Sequence, residues 1–123
     1  MVKKILICDD VADNTFLLQT ILETEDYYVE IANSGAEVLS KIETDVEPPD
    51  LLILDVMMPE IDGYEVVKRI RQSDKFKSLP ILLVTGFNKD DVINDCGVQI
   101  EGVIQRPYDT DVLIAQVLAI LSK

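Results

Sequence analysis

Four apolar residues running into a carboxylate set the tightest limit on what this chain can fold into. Leu51-Leu52-Ile53-Leu54 is too short and too continuous for an amphipathic helix, and reads as a strand buried on both faces of a parallel sheet. Asp55 follows, a charge where such a strand should emerge. Met58-Pro59 then stops the strand, because proline has no N–H for a ladder, and Asp62-Gly63 supplies a turn or helix-cap signal. A carboxylate at the carboxyl end of a buried parallel strand stands where open α/β sheets bind ligands. Taken alone, Asp55 reads as well as a loop carboxylate or the N-cap of the next helix. Its standing changes once carboxylates are found at a second strand end.

The rest of the chain alternates in the same way. Lys3 to Cys8 is a first buried strand, closed by Asp9-Asp10. Asn14 to Glu25 carries Leu17, Leu18, Ile21 and Leu22 at helical spacing, with Asp13 as its N-cap. Tyr28 to Ala32 is a short second strand. Ser34 and Glu37 have capping-box spacing and open a helix through about Glu43. Asp45 to Asp50, with Pro48-Pro49, is a connecting loop before the third strand, Leu51 to Asp55. Asp62 and Glu65 cap a helix with Val66, Val67 and Ile70 on its apolar side, continuing to about Gln72. Ser73 to Leu79 is a polar loop. Ile81 to Thr85 is a fourth buried strand, and Asn88 to Cys96, rich in Asn and Asp and closed by Gly97, is weakly helical at best. Gly102 to Gln105 is a fifth strand. After Arg106-Pro107, Asp109 or Thr110 caps a last helix whose buried stripe is Val112, Leu113, Val117, Ile120 and Leu121. Five β-α units with short loops argue a parallel sheet covered by helices on both faces. With no repeat, low-complexity segment or linker, residues 1–123 are expected to be one domain with no second domain attached.

Composition removes several classes of function. No run reaches the roughly 18 apolar residues of a membrane span, and Asp9 interrupts the N-terminal apolar run before it could serve as a signal peptide. Eleven basic residues against 23 acidic ones leave a net charge of −12, which opposes nucleic-acid binding, and Lys68, Arg69, Arg71, Lys75 and Lys77 are diluted by acids elsewhere. The chain has no His and only two widely spaced cysteines, Cys8 and Cys96. Zinc and histidine-based acid/base chemistry are therefore excluded, and Cys8 is expected to be a reduced core cysteine of a cytoplasmic protein.

In a parallel sheet all carboxyl strand ends share one rim. That rim collects Asp9 and Asp10, then Asp55, Thr85 and Arg106. Three carboxylates so placed repel one another unless a cation joins them, and oxygen-only ligands suit Mg²⁺, which bridges carboxylate to phosphate. Thr85 offers a hydroxyl donor and Arg106 a fixed positive charge. Together they describe a pocket for a small dianion beside a metal, with Asp55 able to act as a nucleophile.

These residues, in this order at successive strand ends, resemble the receiver domain of two-component response regulators over essentially the whole chain. The matching positions are Asp9-Asp10, Asp55 with the run to Met58-Pro59 and Asp62-Gly63, Thr85, and the basic-proline pair Arg106-Pro107. The resemblance implies a flavodoxin-like (βα)5 fold with strand order 2-1-3-4-5. It implies that Asp55 takes a phosphoryl group from a histidine kinase or phosphotransfer protein. It further implies that Mg²⁺ is ligated by Asp10, Asp55 and the Met57 main-chain carbonyl, with Asp9 acting through water, and that Thr85 hydrogen-bonds a phosphoryl oxygen. A cis Arg106–Pro107 bond is implied as well. Such a chain is a signalling domain that assists only its own phosphotransfer and dephosphorylation, and its output is expected through an unknown downstream protein or onward relay, with no nucleic acid or membrane as partner.

Three departures from the family pattern stand out. Arg106 replaces the usual lysine, a longer planar fork in place of a point charge. Val103 stands where an aromatic switch residue is common, and Asn88 to Cys96 is short for the fourth helix. The first two keep an alternative open, a pseudo-receiver that serves as a phosphorylation-independent interaction module. A Mg²⁺-dependent hydrolase with an aspartyl nucleophile is opposed by Met57, where such enzymes commonly need a second acid. A flavodoxin-like cofactor binder is opposed by the lack of a phosphate-cradling loop after Cys8.

Overall fold

The apolar runs become the strands they predict. The computed structural model describes residues 2–44 and 47–122, so Met1, Asp45, Val46 and Lys123, and with them part of the Asp45–Asp50 loop, lie outside the described residues. β1 spans Lys4–Cys8, β2 Tyr28–Ala32, β3 Leu51–Asp55, β4 Ile81–Thr85 and β5 Gly102–Gln105. All pairings are parallel and the order is β2-β1-β3-β4-β5, the flavodoxin-like arrangement. Every residue of β3 and β4 is buried, which is why both runs are apolar up to the closing Asp55 and Thr85.

Five helices cover the sheet: α1 (Ala12–Glu23), α2 (Gly35–Thr44), α3 (Gly63–Gln72), α4 (Lys89–Cys96) and α5 (Thr110–Leu121). Alternate strand side chains point to opposite layers. Ile5, Ile7, Leu51, Ile53, Leu82 and Val84 meet α1 and α5 through Leu18, Leu22, Leu113 and Val117. Leu6, Leu52, Leu54 and Leu83 meet α2, α3 and α4 through Val38, Val66, Ile70 and Val92. Each fully buried Leu or Ile contributes about 1.5–3 kcal/mol over leaving it in water, so the two layers supply the main drive to fold.

Local signals set the helix ends. The Ser34 hydroxyl accepts the Glu37 N–H, and the Glu37 carboxylate reaches back to the Asn33 N–H, both at 3.1 Å. Asp62 accepts the Glu65 N–H at 2.9 Å, and Asp109, rather than Thr110, caps α5 through the Asp111 N–H at 2.8 Å. Three sequence readings are corrected. α1 starts at Ala12 behind Val11, so Asp13 lies in the first turn and is not the cap. Residues 89–96 form a full helix: Asn88 accepts the N–H groups of Asp90 and Asp91, Gly97 closes the end at φ 72°, and Val92 and Cys96 are buried. The caps and the packed face outweigh the poor propensity of the Asn and Asp residues. Finally, Val112, expected in the buried stripe of α5, is 50% exposed, so that stripe is narrower than the apolar spacing suggests. Cys8 and Cys96 are both free and buried, and burial pushes the Cys8 thiol up to about 12.

At the amino-terminal ends of β4 and β5 a single guanidinium ties four segments together. Arg71, in the last turn of α3, donates to the carbonyls of Gln99 (2.8 Å), Lys77 (3.1 Å) and Leu79 (2.6 Å) and to the Glu101 carboxylate (3.1 Å). Glu101 in turn accepts the Ile81 N–H at 2.6 Å.

Candidate functional site

The parallel register gathers the rim. Cys8 stands beside Leu54, which sets Asp9 next to Asp55, and Asp55 stands beside Val84, which sets Thr85 next to Asp55. Thr85 pairs with Gln105, and the Arg106 N–H donates to the Thr85 carbonyl at 2.6 Å. Five side chains from four separate places in the sequence thus share one edge, at the β1/β3 reversal of strand order where doubly wound sheets form their crevice. The loop after β3 is held down by the Gly63 N–H, which donates to the Val56 carbonyl at 2.8 Å. A Cβ on Gly63 would lie 2.5 Å from the Asp55 carbonyl oxygen, so no other residue lets α3 start this close to the site.

Asp9, Asp10 and Asp55 bring carboxylate oxygens within 4.8 Å of one another. Asp9 and Asp55 are buried, at 3% and 5% exposure, while Asp10 faces solvent. Asp9 is held by three donors: the Val11 N–H at 2.9 Å, the Asn14 carboxamide at 2.9 Å and Arg106 Nη1 at 3.0 Å. Asp55 accepts Arg106 Nη2 at 2.9 Å and the Met57 backbone N–H. Burial, with the Asp9 charge beside it, pushes the Asp55 carboxyl up to about 6. The charge of Arg106 and the two hydrogen bonds pull the other way and do not cancel that rise. A carboxylate so poised is held ready for a cation or for covalent chemistry. The donor set is all oxygen, two members are buried and one is exposed, which fits a hard cation that keeps several waters.

Thr85 is fully buried, and its hydroxyl accepts the Phe87 N–H at 3.0 Å, which leaves its own proton as the donor it can offer. Arg106 precedes a cis peptide bond to Pro107, as the resemblance implies. Met57 and Phe87, two positions after Asp55 and Thr85, are 59% and 48% exposed, and Gly86 has open space around it. Val103 is not at the rim. It is buried beside Leu83 in the layer under α2, α3 and α4. The sequence reading did not single out Asn14, whose carboxamide fixes the second oxygen of Asp9. Its place in the first turn after the acidic pair was the available signal. Gln105 was missed too: its side chain accepts the Lys89 N–H at 3.0 Å and links the end of β5 to the start of α4.

The family model for the response regulator receiver domain matches residues 5–118. Among curated relatives, the chain is 39% identical over 124 residues to the alkaline phosphatase synthesis transcriptional regulatory protein PhoP of Bacillus subtilis, covering 100% of this chain and 50% of that one. It is 36% identical over 121 residues to the transcriptional regulatory protein CpxR homolog of Haemophilus influenzae, covering 98% and 51%. The chain therefore spans about half the length of these relatives. Among solved structures, a putative response regulator from Chloroflexus aurantiacus superposes with a TM-score of 0.90 at 33% identity, covering 100% of both chains. A chemotaxis response regulator of Vibrio cholerae superposes with a TM-score of 0.86 at 27% identity, covering 98% and 99%.

Proposed function

The chain belongs to the response regulator receiver domain family, and from that premise we propose that residues 1–123 act as one phosphorylation switch with Asp55 as phosphoacceptor. The observation that carries this reading is the placement of Asp55, buried at the end of the central strand with Asp9 and Asp10 within 4.8 Å. Asp10, Asp55 and the Met57 carbonyl would hold Mg²⁺, with Asp9 acting through water. Bound there, it would supply the positive charge that offsets the negative carboxylates and phosphoryl group. An Asp55 carboxylate oxygen attacks the phosphorus of a phosphohistidine, the phosphorus–nitrogen bond breaks, and its electron pair stays on the imidazole. Thr85 donates its hydroxyl proton to a phosphoryl oxygen, and Arg106 supplies fixed positive charge beside it.

The donor is a histidine kinase or a phosphotransfer protein. Output passes to a downstream protein by surface contact or by onward transfer of the phosphoryl group. The net charge of −12 opposes direct binding to nucleic acid, and among the described residues no helix is long and apolar enough to cross a membrane. A second reading, a phosphorylation-independent interaction module, is favoured by one observation. Arg106 already bridges Asp9 and Asp55, so the carboxylate that phosphorylation needs is engaged by a cation of the chain itself. Intact mass after incubation with acetyl phosphate separates the two. The switch reading expects one added phosphoryl group that requires Mg²⁺ and is absent in Asp55→Asn. An unchanged mass with Mg²⁺ present supports the interaction module.

A further inference from the structure

Arg106 spans the two buried carboxylates of the rim like a strap. Nη1 lies 3.0 Å from Asp9 Oδ2 and Nη2 lies 2.9 Å from Asp55 Oδ1. The two contacts use different nitrogens of one rigid fork, so a single planar group restrains two strands that are 46 positions apart in the chain. The same two residues join Asp10 in the candidate cation cluster. Guanidinium and divalent cation thus contend for the same two carboxylates. They also repel each other at close range in a site where two of the three carboxylates are buried.

We infer that Arg106 is a built-in counter-cation that bridges Asp9 and Asp55 in the cation-free protein, and that a divalent cation enters only as this bridge opens. The inference rests on the reading that the rim holds Mg²⁺ and goes beyond it by naming what the cation displaces. Room for the displaced side chain is present. Arg106 is 26% exposed, and a groove lined by Leu17, Arg106, Pro107, Tyr108 and Thr110 opens on the α1/α5 side of the rim. A lysine at this position would carry the same charge on one compact, strongly hydrated ammonium, and could not hold both carboxylates in the planar two-point geometry. It would oppose cation entry less, although the charge count is unchanged. The bridge therefore gives this chain a lower cation affinity than its carboxylates alone would confer, and ties cation binding to a movement of Arg106.

Two measurements test this. The first is the Mg²⁺ dissociation constant by calorimetry, parent beside Arg106→Lys, at one pH and ionic strength. The bridge predicts about tenfold tighter binding in the lysine variant, which has lost one charge-assisted hydrogen bond that the cation must break. Affinities within about twofold of each other would overturn it. The second needs no variant to fold: the guanidinium N–H resonances of Arg106 are followed in the parent as Mg²⁺ is added. They are expected to start at shifted, ordered positions and to move to those of a free arginine at saturation, and resonances that do not move would overturn the bridge. Mg²⁺ binding to neither protein would overturn the bridge and the metal reading together. Tighter binding in Arg106→Lys with no phosphoryl uptake on Asp55 would support the bridge and refute the proposed switch.

Discussion

Two arginines hold opposite ends of the same sheet, and they do it differently. Arg71, at the amino-terminal end, spends its fork on three backbone carbonyls and one carboxylate that is itself tied to the Ile81 N–H. None of those partners belongs to the acidic cluster, and the Leu79 carbonyl among them is part-buried, where a lost partner is costly. Arg106, at the carboxyl end, holds only carboxylates, Asp9 and Asp55, whose repulsion it relieves and whose oxygens a cation can also use. The first end is closed and structural. The second is a charge cluster held in check by a group that can leave. A molecule can carry a strained, reactive edge because the far edge is held by contacts that no ligand disturbs.

The contrast breaks most visibly at Arg71. Arg71→Ala strands the Gln99, Lys77 and Leu79 carbonyls and the Glu101 carboxylate, and is expected to lower the unfolding free energy by about 3 kcal/mol. Urea denaturation should show the same loss with and without Mg²⁺. Arg71→Lys should recover little of it, because one ammonium cannot serve a fork of four acceptors.

At the other end the sign of the effect changes. The Asp55 carboxyl ionises near 6 in the folded protein against 3.8 ordinarily. Above about 6 it is charged in both states. Between 6 and 3.8 only the folded protein holds the proton, so lowering the pH through this window stabilises the fold through Asp55. Relative to Asp55→Asn, the parent should therefore gain about 2 kcal/mol between pH 7 and pH 4, and Asp55→Asn should be the more stable of the two when metal-free at pH 7. A difference between the two proteins that does not vary with pH would remove the charge strain from the account.

Arg106→Ala should cost less, about 1 kcal/mol at neutral pH without metal, since the bridge is partly exposed and Asp55 can relieve its charge by taking up a proton. Saturating Mg²⁺ should restore that loss, in contrast to Arg71→Ala. The smallest expected effect concerns the positions two after Asp55 and Thr85. Met57 and Phe87 offer no group to orient a water, so Met57→Asn with Phe87→Glu should shorten the phosphorylated lifetime about fivefold, read as decay by intact mass. An equal or longer lifetime in the double variant would leave both residues without a shielding role.

Much of this could be read from the chain before the structure. The strands were legible to within a residue, because the uninterrupted apolar runs of four in β1, β3 and β4 allow little else, and the rim residues follow from where those runs end. α4 was under-read because Asn and Asp residues depress propensity, while Asn88, Gly97 and the buried Val92 and Cys96 act through geometry that propensity does not contain. Val112, expected in the buried stripe of α5, is half exposed, because helical spacing identifies a helix more securely than it identifies which of two adjacent apolar residues faces the sheet. Arg106 was legible as a positive charge at the rim, but neither its bridge to Asp9 and Asp55 nor the role of Arg71 was. The Arg71 fork closes over 30 positions to Glu101 and the Arg106 fork over 97 to Asp9, and contacts between side chains so far apart exist only once the register is set.

The central claim is that Asp55 carries the chemistry of the charged end. It is tested most directly by treating the protein with acetyl phosphate and Mg²⁺, reducing the product with borohydride, and mapping the modified residue by peptide sequencing in the mass spectrometer. The account predicts one reduced acyl-phosphate position, in the peptide containing Asp55 and at that residue. A phosphoryl group found on Asp9, Asp10 or a hydroxyl side chain, or full uptake retained in Asp55→Asn, would contradict it.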